Sequence, residues 1–189
     1  MDNLQKLKKH LRHGQVYRRE DLALWSNAVD RHLQQLLEEG TLTKVAAGMY
    51  YCPKKAAFGA SPAEENKLVE AFLKDRHFLL TSYNAYNSLG VGTTQLYNQT
   101  IVYNHKRHGR FELDGRVFEF RMKPRFPSKL SKEFLLVDML NNLKELAEDE
   151  EKLMQSAKSK LSSFDKKTLL KLAKDFGTVR TRKFFARFL

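Results

Sequence analysis

The chain has 189 residues, of which 42% are hydrophobic and 30% charged, which favours one domain or two small ones with true cores and disfavours disorder of the whole chain. Its formal net charge of +12 favours polyanionic partners, nucleic acid foremost, because each phosphate that Lys or Arg neutralises releases bound counterions. The absence of a long apolar run and of a second cysteine beside Cys52 predicts a cytoplasmic protein with no membrane span and no internal disulfide.

The first 26 residues predict two helices. A leucine repeat at helical spacing predicts a first helix that ends at Gly14, and a short extended stretch follows at residues 16–17. A second helix is predicted over residues 19–25. The Ser26-Asn27 pair then breaks that helix and supplies a cap for the next one.

A third helix and a hairpin are predicted next. The helix ends at Gly40 and carries its apolar residues on one face, namely Val29, Leu33, Leu36 and Leu37. Residues 41–45 and 49–52 are β-prone and predict two strands, joined by a turn in which Gly48 takes a positive φ. This order of helices and strands is typical of a winged helix-turn-helix.

The opposite face of the third helix is polar. In a helix-turn-helix the second helix of the pair enters the major groove, where Arg pairs with guanine and Asn or Gln with adenine. We therefore predict DNA contacts from this face and from the wing, through Asn27, Arg31, Gln34, Gln35 and Lys44. An ordinary solvated helix face is the alternative.

The rest of the chain predicts a mixed second module. Residues 54–62 are turn-prone and indicate the boundary, and helices are expected near 62–74 and 82–89. Strands near 100–104, 110–113 and 116–121 predict a small antiparallel sheet, with Asp114-Gly115 as a type I′ turn. Ser131 is expected to cap the first of four C-terminal helices, near residues 132–142, 149–161, 165–175 and 178–188.

Basic side chains are concentrated in the predicted sheet and in the tail. We expect them to attract nucleic-acid backbone without reading sequence, through Lys106, Arg107, Arg110, Arg116, Arg121, Arg180 and Arg182. The aromatic side chains that alternate with them in the sheet, Tyr103, Phe111, Phe118 and Phe120, are expected on one side of a core, with base stacking as the alternative. The phenylalanines of the tail are also expected in a core, with a membrane-surface helix as the alternative.

No motif of a known catalytic site is present. The sequence has no phosphate-binding glycine loop, no zinc-protease motif and no nucleophile elbow, so we expect neither an enzyme nor a cofactor. His10 with His13, and His105 with His108, have spacings seen in metal sites, but neither pair has a convincing third ligand. No metal site is predicted, and the histidines at 105 and 108 are expected to be solvated turn residues.

Two stretches carry a resemblance to a known family. They are LLEEGTLTKVAAGMYYCP and LTSYNAYNSLGVGTTQLYNQTIVYNHKRHGRFELDGRVFEFR. Together they resemble the AbiEi-type antitoxins of bacterial type IV toxin-antitoxin systems, also known as abortive infection systems. The resemblance covers about Arg18 to Lys123, and the helical tail is a looser match.

The resemblance implies an α+β protein with a winged helix-turn-helix in residues 1–58 and an antitoxin domain in 59–189. Within that second domain a sheet-containing part covers 59–127, with the loop Gly92-Thr93-Thr94-Gln95, and a helical part covers 128–189. The implied function is repression of its own operon through operator DNA, and antagonism of a nucleotidyltransferase-type toxin without a stable complex. The alternative function is an RNA-binding or RNA-processing factor that uses the central basic sheet.

Overall fold

The computed structural model describes residues 3–56 and 59–189, which form a mixed α+β fold of small sheets and C-terminal helices. The chain divides into two compact units. The first unit contains residues 1–76 and 110–118, and the second contains residues 77–109 and 119–189. In the described part of the chain, no helix has the length and apolar character needed to cross a membrane.

The first unit begins with three helices and a three-stranded antiparallel sheet. The elements are α1 (Asn3–His10), β1 (Val16–Arg18), α2 (Arg19–Ala23), α3 (Val29–Glu38), β2 (Thr43–Ala46) and β3 (Met49–Tyr51). The sheet has the order β1-β3-β2, so the hairpin predicted from the sequence gains a third strand. The helices are confirmed, although α1 ends before residue 11 and α2 before residue 24. Gly48 has a φ of +68°, as predicted for the hairpin turn.

The core of the first unit is formed by the apolar faces of its helices. Leu4 and Leu7 of α1, Leu22 of α2 and the predicted stripe of α3 are buried together. Leu37, predicted on that stripe, is partly buried at its edge. Because the apolar residues of α3 recur three and four positions apart, one side of the helix is buried and the other faces solvent.

The first unit continues past the predicted boundary. It includes the two-residue strands β4 (Lys55–Ala56) and β5 (Gly59–Ala60), the helix α4 (Glu65–Leu73) and the tip of a later hairpin. That hairpin consists of β8 (Gly109–Leu113) and β9 (Arg116–Met122). Its turn residue Asp114 donates its backbone N–H to the Val45 carbonyl at 2.7 Å. The division into compact units therefore differs from the predicted division of the chain between residues 58 and 59. Residues 57 and 58, next to that predicted boundary, lie outside the described part of the chain.

The second unit combines strands with the C-terminal helices. Its first elements are β6 (Phe78–Thr81), a 3-10 helix (Tyr83–Leu89) and β7 (Gln99–Asn104). Strand β6 is absent from the prediction, and it pairs antiparallel with β7, so that Phe78 lies opposite Asn104. The predicted helix at 82–89 is a 3-10 helix. The strands adjoin in the order β6-β7-β9-β8, and β9 passes from the first unit into the second after Phe118.

Four α-helices complete the second unit. They are α5 (Lys132–Asn141), α6 (Glu150–Lys160), α7 (Lys166–Phe176) and α8 (Val179–Phe188), and two short 3-10 turns lie at Leu143–Glu145 and Leu161–Ser163. Ser131 caps α5 as predicted, because its side chain accepts a hydrogen bond from the Phe134 N–H. Residues 134–140 of α5 are all buried. A helix buried around its whole circumference is typical of the centre of a core, and α5 packs against the Tyr83–Leu89 helix, α7 and α8.

Candidate nucleic-acid interface

The exposed face of α3 carries three of the predicted DNA-contacting side chains, and Asn27 lies two residues before the helix. Asn27, Arg31, Gln34 and Gln35 are all exposed, whereas Val29, Leu33 and Leu36 are buried. The Gln34 amide donates a hydrogen bond to Glu38 at 3.1 Å, one turn along the helix. The structure therefore brings Arg31, Gln34 and Gln35 together on one solvent-facing surface of a single helix.

The turn before α3 is fixed by a buried serine-histidine pair. The Ser26 hydroxyl lies 2.7 Å from His32 Nδ1 and also accepts a hydrogen bond from the Ala28 N–H. Ser26 and His32 are only 7% and 2% exposed. The predicted capping by Ser26-Asn27 is therefore wrong in detail, because Ala28 occupies the cap position without a side-chain bond. The sequence does not predict this role for His32. Its position on the apolar face of α3 indicates burial, but no sequence pattern identifies Ser26 as its hydrogen-bond partner.

An ion pair joins the first turns of α2 and α3. The Arg19 guanidinium donates two hydrogen bonds to the Asp30 carboxylate, at 2.7 and 2.6 Å. These bonds lower the pKa of Asp30. Both side chains are exposed, so the pair contributes little to the stability of the fold. The Asp30 carboxylate, which precedes Arg31 in the sequence, is therefore already paired with the Arg19 cation.

The β2–β3 hairpin presents one predicted contact residue. Lys44 is exposed on β2 and lies opposite Tyr50 of β3. The pairing shifts between Lys44 and Ala46, which indicates a bulge that twists the hairpin at this point. The strand thus directs a cation to solvent a few residues after the end of α3.

The seven cations predicted to contact backbone fall into two groups. Lys106, Arg107, Arg110 and Arg182 are exposed. Arg116, Arg121 and Arg180 each pair with acidic side chains, namely Asp114, Glu119 with Glu145, and Glu150. Because a guanidinium already engaged by carboxylates offers less attraction to a phosphate, Arg110 and Arg182, which have no ion-pair partner in the part of the chain that the structure describes, are the better candidates for backbone contacts.

Arg121 belongs to a polar network inside the second unit. Its side chain is 11% exposed and donates to the Asn142 side chain at 2.9 Å and to the Tyr83 hydroxyl at 2.8 Å. Its Nε donates to Glu119 at 2.7 Å, and a further contact joins it to Glu145. Although burial acts in the opposite direction, hydrogen bonds from Tyr83 and Arg121 lower the pKa of Glu145.

A buried carboxylate lies at the centre of the same network. Asp138 of α5 is fully buried and accepts hydrogen bonds from Tyr86 and Tyr103, each at 2.7 Å. Asn142 donates to both tyrosine hydroxyls, and Lys123 lies 4.0 Å from the carboxylate. Burial raises the pKa of Asp138 and also raises those of both tyrosines. No sequence pattern predicted this cluster, because its residues come from four separate elements.

Three of the four strand aromatics expected in a core are buried, as are two phenylalanines of the tail. Tyr103, Phe118 and Phe120 are 0% exposed, and the half-buried Phe111 contacts Phe72, with ring centroids 4.9 Å apart. In the tail, Phe184 and Phe185 are buried, whereas Arg182, Lys183 and Arg187 are exposed. The core interpretation is confirmed for both segments, and the strand aromatics are not presented to solvent for base stacking.

The Gly92–Gln95 loop of the family resemblance is fixed by Glu148. One oxygen of this carboxylate accepts hydrogen bonds from the Thr94 and Gln95 backbone N–H groups, at 3.1 and 3.2 Å. Its other oxygen accepts one from the Tyr97 hydroxyl at 3.2 Å. Glu148 therefore holds the loop through these hydrogen bonds. It also lies just before α6, where negative charge interacts favourably with the positive end of the helix dipole.

Three of the four histidines singled out by spacing have structural partners. The ring of His10 stacks on Trp25, and His13 Nδ1 lies 2.6 Å from the Pro53 carbonyl oxygen. His105 Nδ1 donates to the Lys123 carbonyl, and the His105 ring packs on Phe126. His105 is exposed, as predicted, but it is held in place by these contacts. Within the described ranges, no group of three or more metal-ligating side chains is present.

Comparisons with known proteins identify a fold and no family. No family model matches this chain, and no match was found among curated proteins. Among solved structures, the crystal structure of the RV2827C protein from Mycobacterium tuberculosis is similar, with a TM-score of 0.59 and 15% sequence identity. The match covers 98% of this chain and 74% of that one. At this identity the likeness shows that the two chains share a fold.

Proposed function

We propose that this protein is a transcriptional repressor that binds operator DNA through its N-terminal residues. In this proposal α2, α3 and the β2–β3 hairpin form a winged helix-turn-helix, with α3 as the reading helix. The observation that carries the proposal is the exposed polar face of α3, where Arg31 and Gln34 lie opposite the buried residues Val29, Leu33 and Leu36. Arginine and glutamine are side chains that pair bidentately with guanine and adenine in the major groove.

We further propose that the protein is the antitoxin of a type IV toxin-antitoxin system and acts against a nucleotidyltransferase-type toxin. The support is the resemblance of residues 36–53 and 80–121 to AbiEi-type antitoxins. The Gly92–Gln95 loop, whose Thr94 and Gln95 N–H groups donate to Glu148, belongs to the segment that carries this resemblance. In this proposal the protein binds nucleic acid and counteracts an enzyme without being one.

The buried strand aromatics argue against RNA binding by the central sheet. Proteins that bind single-stranded RNA on a sheet stack bases on solvent-facing aromatic side chains. Here Tyr103, Phe118 and Phe120 are buried. We therefore carry no second candidate function.

Both halves of the proposal are tested with the full-length protein. Footprinting on the protein's own promoter is expected to show protection of a duplex site, with single-stranded competitor much less effective than duplex competitor. Co-expression is expected to restore growth of cells that produce the nucleotidyltransferase-type protein encoded beside it. A preference for single strands would contradict the first half, and growth arrest despite soluble co-expressed protein would contradict the second.

The exposed cations are expected to act through charge alone. Changing Arg110 and Arg182 to Gln should weaken specific and non-specific duplex binding about equally, because phosphate contacts carry no sequence information. The slope of log affinity against log salt should flatten by roughly one unit for each phosphate that the protein no longer neutralises. Affinity measured at several salt concentrations checks this.

Arg180→Gln is the comparison variant, because Arg180 is paired with Glu150 at 2.7 Å. Its effect on the salt slope should be smaller than that of Arg110→Gln or Arg182→Gln. A selective loss of operator affinity in the Arg110→Gln/Arg182→Gln variant, with an unaltered salt slope, would contradict a purely electrostatic role.

A further inference from the structure

A cavity of about 440 Å³ lies beside Trp25 in the first unit, and Trp25 is the single tryptophan of the chain. Its walls come from the end of α1, the segment that follows, β1 and the residue two positions after α2. The lining residues are Lys9, His10, Arg12, Gln15, Tyr17 and Trp25. Cavities of this size take small-molecule and cofactor ligands.

The lining contains cations and no acidic side chain. Lys9 and Arg12 are exposed, and neither has an ion-pair partner in residues 3–56 or 59–189. The adjacent Lys8, which does not line the cavity, pairs with Glu39 at 2.5 Å. A concave site lined by cations without a counter-charge concentrates anions.

The same cavity has an aromatic wall. The rings of His10 and Trp25 are nearly parallel, at 7° with centroids 4.7 Å apart, and Tyr17 meets Trp25 edge-on at 6.2 Å. The Tyr17 hydroxyl accepts a hydrogen bond from the Arg12 N–H at 2.7 Å and donates one to the His10 carbonyl at 3.3 Å. These bonds fix the backbone that carries the cations. Flat aromatic surfaces of this kind stack with any nucleobase.

We propose that this cavity binds a nucleoside phosphate. The base stacks on the His10–Trp25 pair, and Lys9 and Arg12 hold the phosphate groups. The combination of rings with cations that have no ion-pair partner among the described residues selects a ligand that is both aromatic and anionic, and it disfavours cationic ligands. This inference is independent of the proposed function.

The position of the cavity also gives the ligand a route to α3. Trp25 directly precedes Ser26, whose hydroxyl contacts His32 of α3 and the Ala28 N–H. A base stacked on the His10–Trp25 pair is therefore close in the chain to Ser26, which contacts the start of α3.

The emission of Trp25 reports binding directly, because no other tryptophan contributes. The full-length protein is titrated with ATP, GTP, CTP and UTP in turn, and with inorganic tripolyphosphate at matched ionic strength. We expect at least one nucleotide to quench the emission saturably below about 1 mM, and tripolyphosphate to bind much more weakly. Lys9→Gln and Arg12→Gln should each weaken nucleotide binding by about tenfold or more.

Lys6→Gln is the matched control, since Lys6 is an exposed lysine of α1 outside the cavity and the charge change is the same. It should leave nucleotide affinity unchanged, and circular dichroism should show that all variants are folded. Equal binding of tripolyphosphate, an equal loss in Lys6→Gln, or no saturable quenching by any nucleotide would each overturn the proposal. Operator binding is measured separately, by footprinting without nucleotide. A protein that fails to bind nucleotide can therefore be distinguished from one that fails to bind the operator.

Discussion

The Arg31→Ala/Gln34→Ala variant is expected to lose most of its affinity for operator DNA while remaining folded. Each bidentate base contact contributes about 1–3 kcal/mol of discrimination, so removing two weakens specific binding by roughly 30-fold or more. Non-specific duplex binding should fall much less, because one cation is removed among many. Both side chains are exposed and contribute nothing to the core, so the unfolding transition should hardly move.

The matched control for this variant is Gln5→Ala/Lys6→Ala. It removes one amide and one cation from the exposed side of α1. Its operator affinity should fall by no more than the loss of one positive charge explains. Footprinting and thermal unfolding of both variants decide the matter. An unchanged footprint from a folded Arg31→Ala/Gln34→Ala protein would remove α3 from the role of reading helix.

The same variant also separates the two proposed activities. If operator binding resides in α3 and toxin antagonism elsewhere, Arg31→Ala/Gln34→Ala should still restore growth of cells that produce the toxin. Loss of rescue by the folded variant would show that the α3 face serves both activities. Point variants are the right tool, because residues 59–76 and 110–118 belong to the first compact unit and a truncation near residue 58 would cut it.

Asp138→Ala is expected to lower the free energy of unfolding by about 3–5 kcal/mol, the usual cost of removing one partner from a buried charged network. The substitution deprives the hydroxyls of Tyr86 and Tyr103 of their acceptor and leaves Lys123 without its buried counter-charge. Asp138→Asn should cost less, because its carbonyl still accepts one hydrogen bond. Denaturant unfolding followed by circular dichroism measures both, and the exposed Asp175→Ala should change stability by no more than about 0.5 kcal/mol.

The raised pKa of Asp138 predicts a particular dependence of the free energy of unfolding on pH. Burial raises its pKa in the folded state above its ordinary value, so the folded protein binds this proton more readily than the unfolded chain. The contribution of Asp138 is therefore largest below its unfolded pKa and declines as the pH rises through the folded pKa. Relative to Asp138→Asn, the wild type should gain stability as the pH is lowered from neutral toward about 4. A difference that stays constant or runs the other way would contradict a raised pKa.

The sequence by itself determined most of the helices and strands. The period of Val29, Leu33 and Leu36 defines α3 and its exposed face, because apolar residues three and four apart can be buried only on one side of a helix. Asp114-Gly115 and Gly48 mark turns whose positive φ few other residues adopt without strain. Ser131 marks the start of α5 in the same local way. All of these are properties of neighbouring residues.

The tertiary structure alone decided which distant residues meet. Strand β6 escaped prediction because its four residues gain stability only from pairing with β7. The extent of the first unit depends on Asp114 reaching Val45, about seventy positions earlier in the chain, and no local pattern encodes that contact. The Asp138 network and the cavity beside Trp25 arise in the same way, since their polar groups come from separate elements. Local periodicity determines an element and its faces, whereas hydrogen bonds and ion pairs between elements depend on packing that exists only in the folded chain.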